Sequence, residues 1–455
     1  MTPLELGLLG AGVLLFGAFQ VSVQARWGAT LGLALGGSFL TLGGGNLFLL
    51  RWWPTPGEAH STGVVGFFPS GGSPEYVGGQ AGWVYSGGDL KFILLFLFSL
   101  AGVGFLRHPA RGVEPLLLGL VSVVAGLITF SVDNLILLYL GLELQALCLY
   151  TLVGFFKFQE ERTDAALRYL LSGSLVSGFM LWGFARLYGG NGTFQAGEFL
   201  GWDSLGSAWV LGVILFKVGA APFHFWAPVV YTPLEWGTLA LTTGAAKVNL
   251  WYLLVGPLGG VVTSAWWPTW WAGLLSVGVG SIGGFFQTSL GGVLAYSGVI
   301  NGGYLLLLST AGVGGSFFYG YYLVVYLLST ALLVGLLSVW GDTRFETQFS
   351  AWGKLGVAFP LVVYYLTLNL GGLPVFPGFF AKLALLGGLG GFGFFLLWGV
   401  VAASVVPAVY YVAVGVGALF KPLGTEISPP GWPAPVVVAT LVVGFNGVTT
   451  LVVGM

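Results

Sequence analysis

The chain has 455 residues, 56% of them hydrophobic and only 7% charged, with a net charge of −1. A soluble domain carries roughly a quarter charged residues, so this composition excludes that class. Near-neutral charge leaves no basic face for nucleic acid, and the single cysteine, Cys148, excludes a disulfide framework or a cysteine-held metal.

Apolar runs of about 20 residues follow one another, the length a membrane-crossing helix needs. The short alternating segments of an outer-membrane barrel are absent. The fold class is therefore an all-α polytopic membrane protein of about 14 transmembrane helices. The first run, Leu4 to Val23, lacks a basic leader and a small-residue cleavage site, and reads as a retained span. Spans one to three lie near 4–24, 28–50 and 90–106, with a Gly-, Pro- and Ser-rich connection between the second and third. Spans four to eight lie near 113–132, 134–156, 164–188, 206–229 and 236–256. Spans nine to thirteen lie near 270–287, 290–310, 316–340, 355–382 and 384–419, and a last span runs to Met455. As domains, 1–455 reads as one membrane unit: three N-terminal helices (1–106), two repeats (113–256 and 270–419) and a terminal helix (435–455).

Basic residues fix the orientation. Arg26, Arg107, Arg111, Lys157, Arg162, Arg344, Lys354 and Lys421 all fall in connections on one side. That side is expected to be the cytoplasm or matrix, with both termini on the opposite side.

Two spans look broken. Span seven, FKVGAAPFHFWAPVV, holds Pro222 and Pro228; span twelve, LNLGGLPVFPGFFAK, holds Gly371, Gly372, Pro374 and Pro377. An internal proline removes a backbone hydrogen bond and interrupts a helix. Paired interruptions in two halves point to an inverted-repeat transporter site. Superposing spans seven and twelve gives repeats of spans four to eight and nine to thirteen.

Charge then marks the candidate site. Glu143, Lys217, Lys247 and Lys382 each lie deep inside an apolar stretch. Such a residue costs about 2.5–3.5 kcal/mol at the bilayer centre on insertion scales, and its usual use is proton or ion movement. Arg168, about one turn into span six, fits either a snorkelling side chain or a fixed charge that biases its neighbours. His224 follows the first break. Tyr296, Ser297 and Asn301 give span ten a polar stripe, suited to lining water between Lys247 and Lys382 or to bonding neighbouring helices. Asn191-Gly192-Thr193 is a short sequon without context, and LGGLGGFGF lacks the βαβ setting of a dinucleotide loop. With no nucleotide loop, metal cluster or haem pair, no electron-transfer cofactor is expected in this chain.

These motifs, in order over roughly residues 130–385, resemble the antiporter-like subunit 2 family (subunit N in bacteria) of the proton-pumping NADH:quinone oxidoreductase, respiratory complex I. The matching segments are LYLGLELQALCLY, AALRYLLSG, FKVGAAPFHFWAPVVY, the AAK of span eight, LAYSGVINGGY and GLPVFPGFFAK. The resemblance implies proton translocation through Glu143, Lys217, Lys247 and Lys382, driven by quinone reduction elsewhere. It implies partners among the other membrane-arm subunits and lipid, with FMN, iron–sulfur clusters and quinone held by other subunits. The family usually has lysine at Arg168, histidine at Asn301 and aspartate at Val229; these departures leave Arg168 and Asn301 to modulate charge or organise water. A stand-alone cation/proton antiporter and a purely structural membrane subunit are the alternatives. Enrichment in Gly, Phe, Trp and Val, whose codons are rich in G and T, suggests the mitochondrial inner membrane. The scarcity of cysteine favours the alternative, a bacterial plasma membrane.

Overall fold

A computed structural model describes residues 114–130, 132–155, 160–199, 202–311, 313–340, 358–374, 376–389 and 394–420. The expected spans one to three, the span after Lys421, the positions of both termini and the connection at 341–357 lie outside the described residues. Among the described residues the chain is helical, with no strand beyond an isolated bridge between Asn134 and Gln195.

Predicted spans four to thirteen all fall on described helices. Span four is α1 (Glu114–Thr129), span five α2 (Leu135–Gly154) and span six α3 (Glu160–Asn191). Side-chain caps start several helices where the sequence leaves the apolar run. Asn134 accepts from the amides of Ile136 and Leu137, and Asp203 accepts from Gly206. These caps satisfy amides that no earlier turn can reach.

Span seven is broken, as its prolines require. Its outer half, α4 (Ser204–Val218), ends at Gly219, which has φ +79°. The chain resumes as α5 (Trp226–Tyr231). Span eight is three pieces: α6 (Trp236–Ala240), a π turn (Leu241–Ala245) and α7 (Ala246–Val255). A short helix, α8 (Gly259–Ser264), precedes span nine, α9 (Trp266–Phe285). Spans ten and eleven are α10 (Leu290–Ser309) and α11 (Val313–Trp340). Span twelve is broken into α12 (Ala358–Gly371) and α13 (Pro377–Gly388), with Pro377 at the first helical position, where its missing N–H is harmless. Span thirteen is α14 (Phe394–Phe420).

The two breaks share one backbone motif. The N–H of Ala220 bonds the carbonyl of Leu215 at 2.8 Å, and the N–H of Leu373 bonds that of Leu368 at 3.3 Å. Each closes the end of its half-helix over a left-handed glycine, Gly219 or Gly372 (φ +69°). The motifs lie five predicted spans apart, the spacing at which an odd number of crossings would invert one repeat against the other.

The core is α10, with 94% of its apolar window buried, against 33% for α3 at the periphery. Close approach by α9 makes this possible. A Cβ at Gly280 would collide with Ile300, and one at Gly303 with the Gly273 carbonyl, so glycine lets these backbones meet. Five of the described helices are long and apolar enough to cross a membrane unaided.

The break geometry is testable. Gly219→Ala places a Cβ in the left-handed region and is expected to cost about 1–2 kcal/mol. Gly212→Ala, in open space inside α4, is expected to stabilise by up to ~1 kcal/mol. Thermal melting of the detergent-purified protein should move in opposite directions for the two; a parallel shift contradicts the assigned end of α4.

Candidate functional site

Glu143 and Lys217 meet between α2 and α4. Lys217 Nζ lies 2.6 Å from Glu143 Oε1, with the two side chains only 10% and 17% exposed. Lys217 stands in the last turn of α4, where unpaired carbonyls make the helix end negative. The break thus gives the ammonium a second source of favourable field. The Phe216 carbonyl accepts from the Gly219 N–H at 2.9 Å and also from Trp226 Nε1 at 2.7 Å. Tyr169 stacks on Trp226 at 4.8 Å and Tyr150 meets Tyr169 edge-on at 4.5 Å, walling the pair with aromatic rings. A cavity of about 30 Å³ lies beside Lys217, bordered by Gln145, Tyr150, Tyr169 and Ala246. It has room for a water or two, and Ala246 carries it to the neighbour of Lys247.

Lys247 is 2% exposed and has no carboxylate within ion-pair distance among the described residues. Its ammonium lies 5.6 Å from the centre of the Tyr231 ring, whose π-face attracts a cation. The π turn sets this direction. An extra residue in the turn rotates the remainder of the helix by about 100° around its axis. Thr242 and Thr243 bond back to the carbonyls of Thr238 and Leu239 at 2.7–3.2 Å, competing with the regular helix ladder in this turn. Gly298 of α10 makes the room, since a Cβ there would collide with Lys247 Nζ.

Lys382 belongs to α13 but reaches back across the break. Its Nζ donates to the Gly371 carbonyl, the end of α12, at 2.6 Å, and to the Ser404 carbonyl at 3.5 Å. Lys217 and Lys382 therefore lie on opposite sides of their breaks in sequence, yet both cations sit at the negative end of the first half-helix.

Residues 132–407 match the family described as NADH:quinone oxidoreductase/Mrp antiporter, transmembrane. NADH-quinone oxidoreductase subunit N from Alkalilimnicola ehrlichii is 30% identical over 389 residues, covering 78% of this chain and 79% of that protein. The chain belongs to this family, on its subunit N branch. Subunit N from Paraburkholderia phymatum is 32% identical, with 59% of this chain matched over 60% of the relative's length. A chain of respiratory complex I from Thermus thermophilus superposes with a TM-score of 0.74 at 25% identity, covering 100% of this chain and 98% of its own.

The other residues singled out in the sequence fall in different places. Arg168 lies on the outer face of α3, side chain 62% exposed, paired with Asp164 at 2.9 Å. The structure does not bring it to Glu143 or Lys217. It shares that face with exposed Leu171, Leu175 and Trp182. His224 is buried in the break between α4 and α5, its ring 6.2 Å from that of Tyr296. Tyr296 covers Gly283 of α9 and borders a groove on the outer surface of that helix. Asn301 points inward, bonding Ser297 and Tyr322. Pro222 and Pro374 occupy the two connections, and Pro377 opens α13. Val229, where the family usually has aspartate, is 41% exposed on α5.

Sequence reasoning missed two polar links. Arg162, which its sequence neighbours mark as a loop residue, is a buried member of α3, 2.6 Å from Glu235 and 2.9 Å from the Pro233 carbonyl. Gln145 joins α1, α2 and α7, accepting from Asn249 at 2.7 Å and donating to the Ser122 carbonyl at 3.2 Å. The available signal was spacing: Gln145 and Asn249 each follow a marked charge by two residues. Among the described residues no group of three or more His, Cys, Asp or Glu is placed to hold a metal.

A buried pair broken from one side leaves an uncompensated charge, at about 3–5 kcal/mol. Glu143→Gln and Lys217→Met are each expected to destabilise the protein by that order, and the double variant by less than either. Unfolding in mixed micelles measures all three; additive losses would show that the two groups are not energetically coupled.

Proposed function

We propose that the chain is one proton-translocating module in the membrane arm of a NADH:quinone oxidoreductase. The observation that carries this reading is the Glu143–Lys217 pair, a 2.6 Å ion pair at the end of an interrupted helix. Closing the pair stabilises the ammonium; opening it removes that support and releases the proton. The proton then passes through the adjoining cavity to Lys247 and on to Lys382. Moving one charge through the membrane costs about 2.3 kcal/mol per 100 mV. A hundredfold change in proton affinity is worth about 2.7 kcal/mol, so one ion pair rearranging is of the right size.

In this reading redox chemistry, with FMN, iron–sulfur clusters and quinone, belongs to other subunits. Partners are the neighbouring antiporter-like and small membrane-arm subunits, with lipid around them. The bacterial sources of the named relatives support a plasma-membrane location over the mitochondrial one. The distribution of basic residues among the predicted connections supports a periplasmic side for both termini.

The family description also covers Mrp antiporters, which keeps a cation/proton exchanger as the second reading. Sodium or potassium transport by the reconstituted chain without redox input favours that reading.

In the assembled oxidoreductase, Lys217→Ala and Glu143→Gln are expected to abolish coupled pumping. Lys247→Arg is expected to impair it, because arginine keeps the charge but does not titrate. Arg168→Lys is expected to be tolerated. Protons moved per electron in inverted vesicles checks all four; wild-type ratios in both Lys217→Ala and Glu143→Gln reduce the chain to a structural subunit.

A further inference from the structure

From Gly219 to Pro222 the first break has three amides to satisfy, since proline has none. The Gly219 N–H donates to the carbonyls of Leu215 at 3.1 Å and Phe216 at 2.9 Å, and the Ala220 N–H to that of Leu215 at 2.8 Å. The Ala221 N–H leaves the span. It donates to Ser276 Oγ of α9 at 2.8 Å, across 55 residues of sequence. Ser276 Oγ in turn donates to the Ala272 carbonyl, one turn back in α9, at 2.6 Å. The hydroxyl's proton is thus committed to α9 and a lone pair to the break. Ala221 and Ser276 are fully buried, and an amide at membrane depth has no bulk water to turn to.

Helix α10 seats both partners of this bond. A Cβ at Gly303 would stand 2.9 Å from that of Ser276, and one at the preceding Gly302 would stand 3.5 Å from Val218 Cγ1. Val218 follows Lys217 directly. Two adjacent glycines therefore admit Ser276 on one side and the last turn of α4 on the other. The tie differs from the other clamp at this break. Trp226 Nε1 holds the Phe216 carbonyl at 2.7 Å, but Trp226 belongs to α5, the second half of the same span. Ser276 belongs to span nine, the first of the predicted second repeat. In the second break the Gly378 amide donates to Asn369 Oδ1 of α12 at 2.7 Å, a bond that stays within its own span.

We propose that Ser276 is the positioning residue of the Lys217 site: by holding the Ala221 amide it sets where the end of α4 lies against α9, and so how closely Lys217 meets Glu143. Its functional meaning rests on the translocation reading above. Ser276 carries no proton in this role, because its own is given to a backbone carbonyl that has none to exchange. It acts through the chain, one turn beyond Lys217. Glu143 stands on α2 and does not ride with α9. A displacement of α9 against α2 therefore reaches the 2.6 Å contact through the Ser276 bond. The attraction within such a pair depends on separation, and most strongly in a low-dielectric interior, so a small shift of the α4 end alters it. Ser276 thereby links the switchable pair of one predicted repeat to the first helix of the other.

The test measures the coupling between Glu143 and Lys217 in three backgrounds. A double-mutant cycle of Glu143→Gln and Lys217→Met, read by unfolding of the full chain in mixed micelles, gives that coupling in the wild type, in Ser276→Ala and in Ser281→Ala. Ser281 is a buried serine of the same helix whose hydroxyl bonds the Gly278 carbonyl of α9 itself. The coupling is expected to fall to about half or less in Ser276→Ala and to stay unchanged in Ser281→Ala. A hydrogen bond that is structural only lowers all four members of the cycle alike and leaves the coupling as it was. Unchanged coupling in Ser276→Ala overturns the proposal. In the assembled oxidoreductase, Ser276→Ala is expected to lower protons per electron in inverted vesicles and Ser281→Ala to keep the wild-type ratio. A wild-type ratio in Ser276→Ala with a reduced one in Lys217→Ala overturns the positioning role and leaves the translocation reading intact. Reduced coupling with wild-type ratios in both variants keeps the positioning role and removes that reading. Should Ser276→Ala not fold, Ser276→Cys, which keeps the volume and weakens the acceptor, takes its place under the same outcomes.

Discussion

A charge held in a low-dielectric interior must be compensated locally, and the architecture of this subunit N relative follows from how three lysines meet that demand. Lys217 has a full opposite charge at 2.6 Å and a helix carbonyl end beneath it. Lys382 has no carboxylate among the described residues and is held by two backbone carbonyls. Lys247 has an aromatic face and neighbouring hydroxyls. The compensation weakens from a formal charge to aligned dipoles to a ring quadrupole, a sequence that falls steeply in energy. Only the first of these can be switched by moving one side chain.

The broken helices are what make dipolar compensation available at membrane depth. A continuous helix uses its carbonyls internally and offers nothing to a cation; an interrupted one exposes a negative end. Gly219 and Gly372 close both ends in the same way, and the lysines approach from opposite chain directions to reach them. Lys217 rides on the half-helix whose field it uses, so a shift of α4 moves both together. Lys382 rides on α13 and binds α12, so relative motion of the two halves changes its environment directly.

Much of this was legible in the sequence because it breaks local rules. A lysine in an apolar run, or a Pro-Gly cluster inside a span, violates the expectation for a lipid-facing helix, and the violation marks the position. The features that stayed hidden break no such rule. Thr-Thr-Gly before Lys247 is ordinary helix composition, and the π turn there arises from hydroxyls and packing that only the fold brings together. Arg162 looks like a loop cation because its partner, Glu235, is 73 residues away. Arg168 illustrates the reverse: its position in span six was readable, but whether its face turned inward depended on helix phase against neighbours.

The polarity of the site also changes along its length, and this bears on direction. The first repeat holds its lysine with a carboxylate that can be neutralised, whereas the second holds its lysine with carbonyls that cannot. A field change arriving at Glu143 therefore has a formal charge to act on, while at the far end the lysine meets only backbone carbonyls. Of the two ends, only the Glu143 end holds its lysine by an opposite formal charge. The buried Gln145–Asn249 bond ties α2 to α7, placing the helix of Glu143 and the helix of Lys247 in one polar frame. A displacement of α2 that opens the ion pair therefore pulls, through this bond, on the segment that carries Lys247.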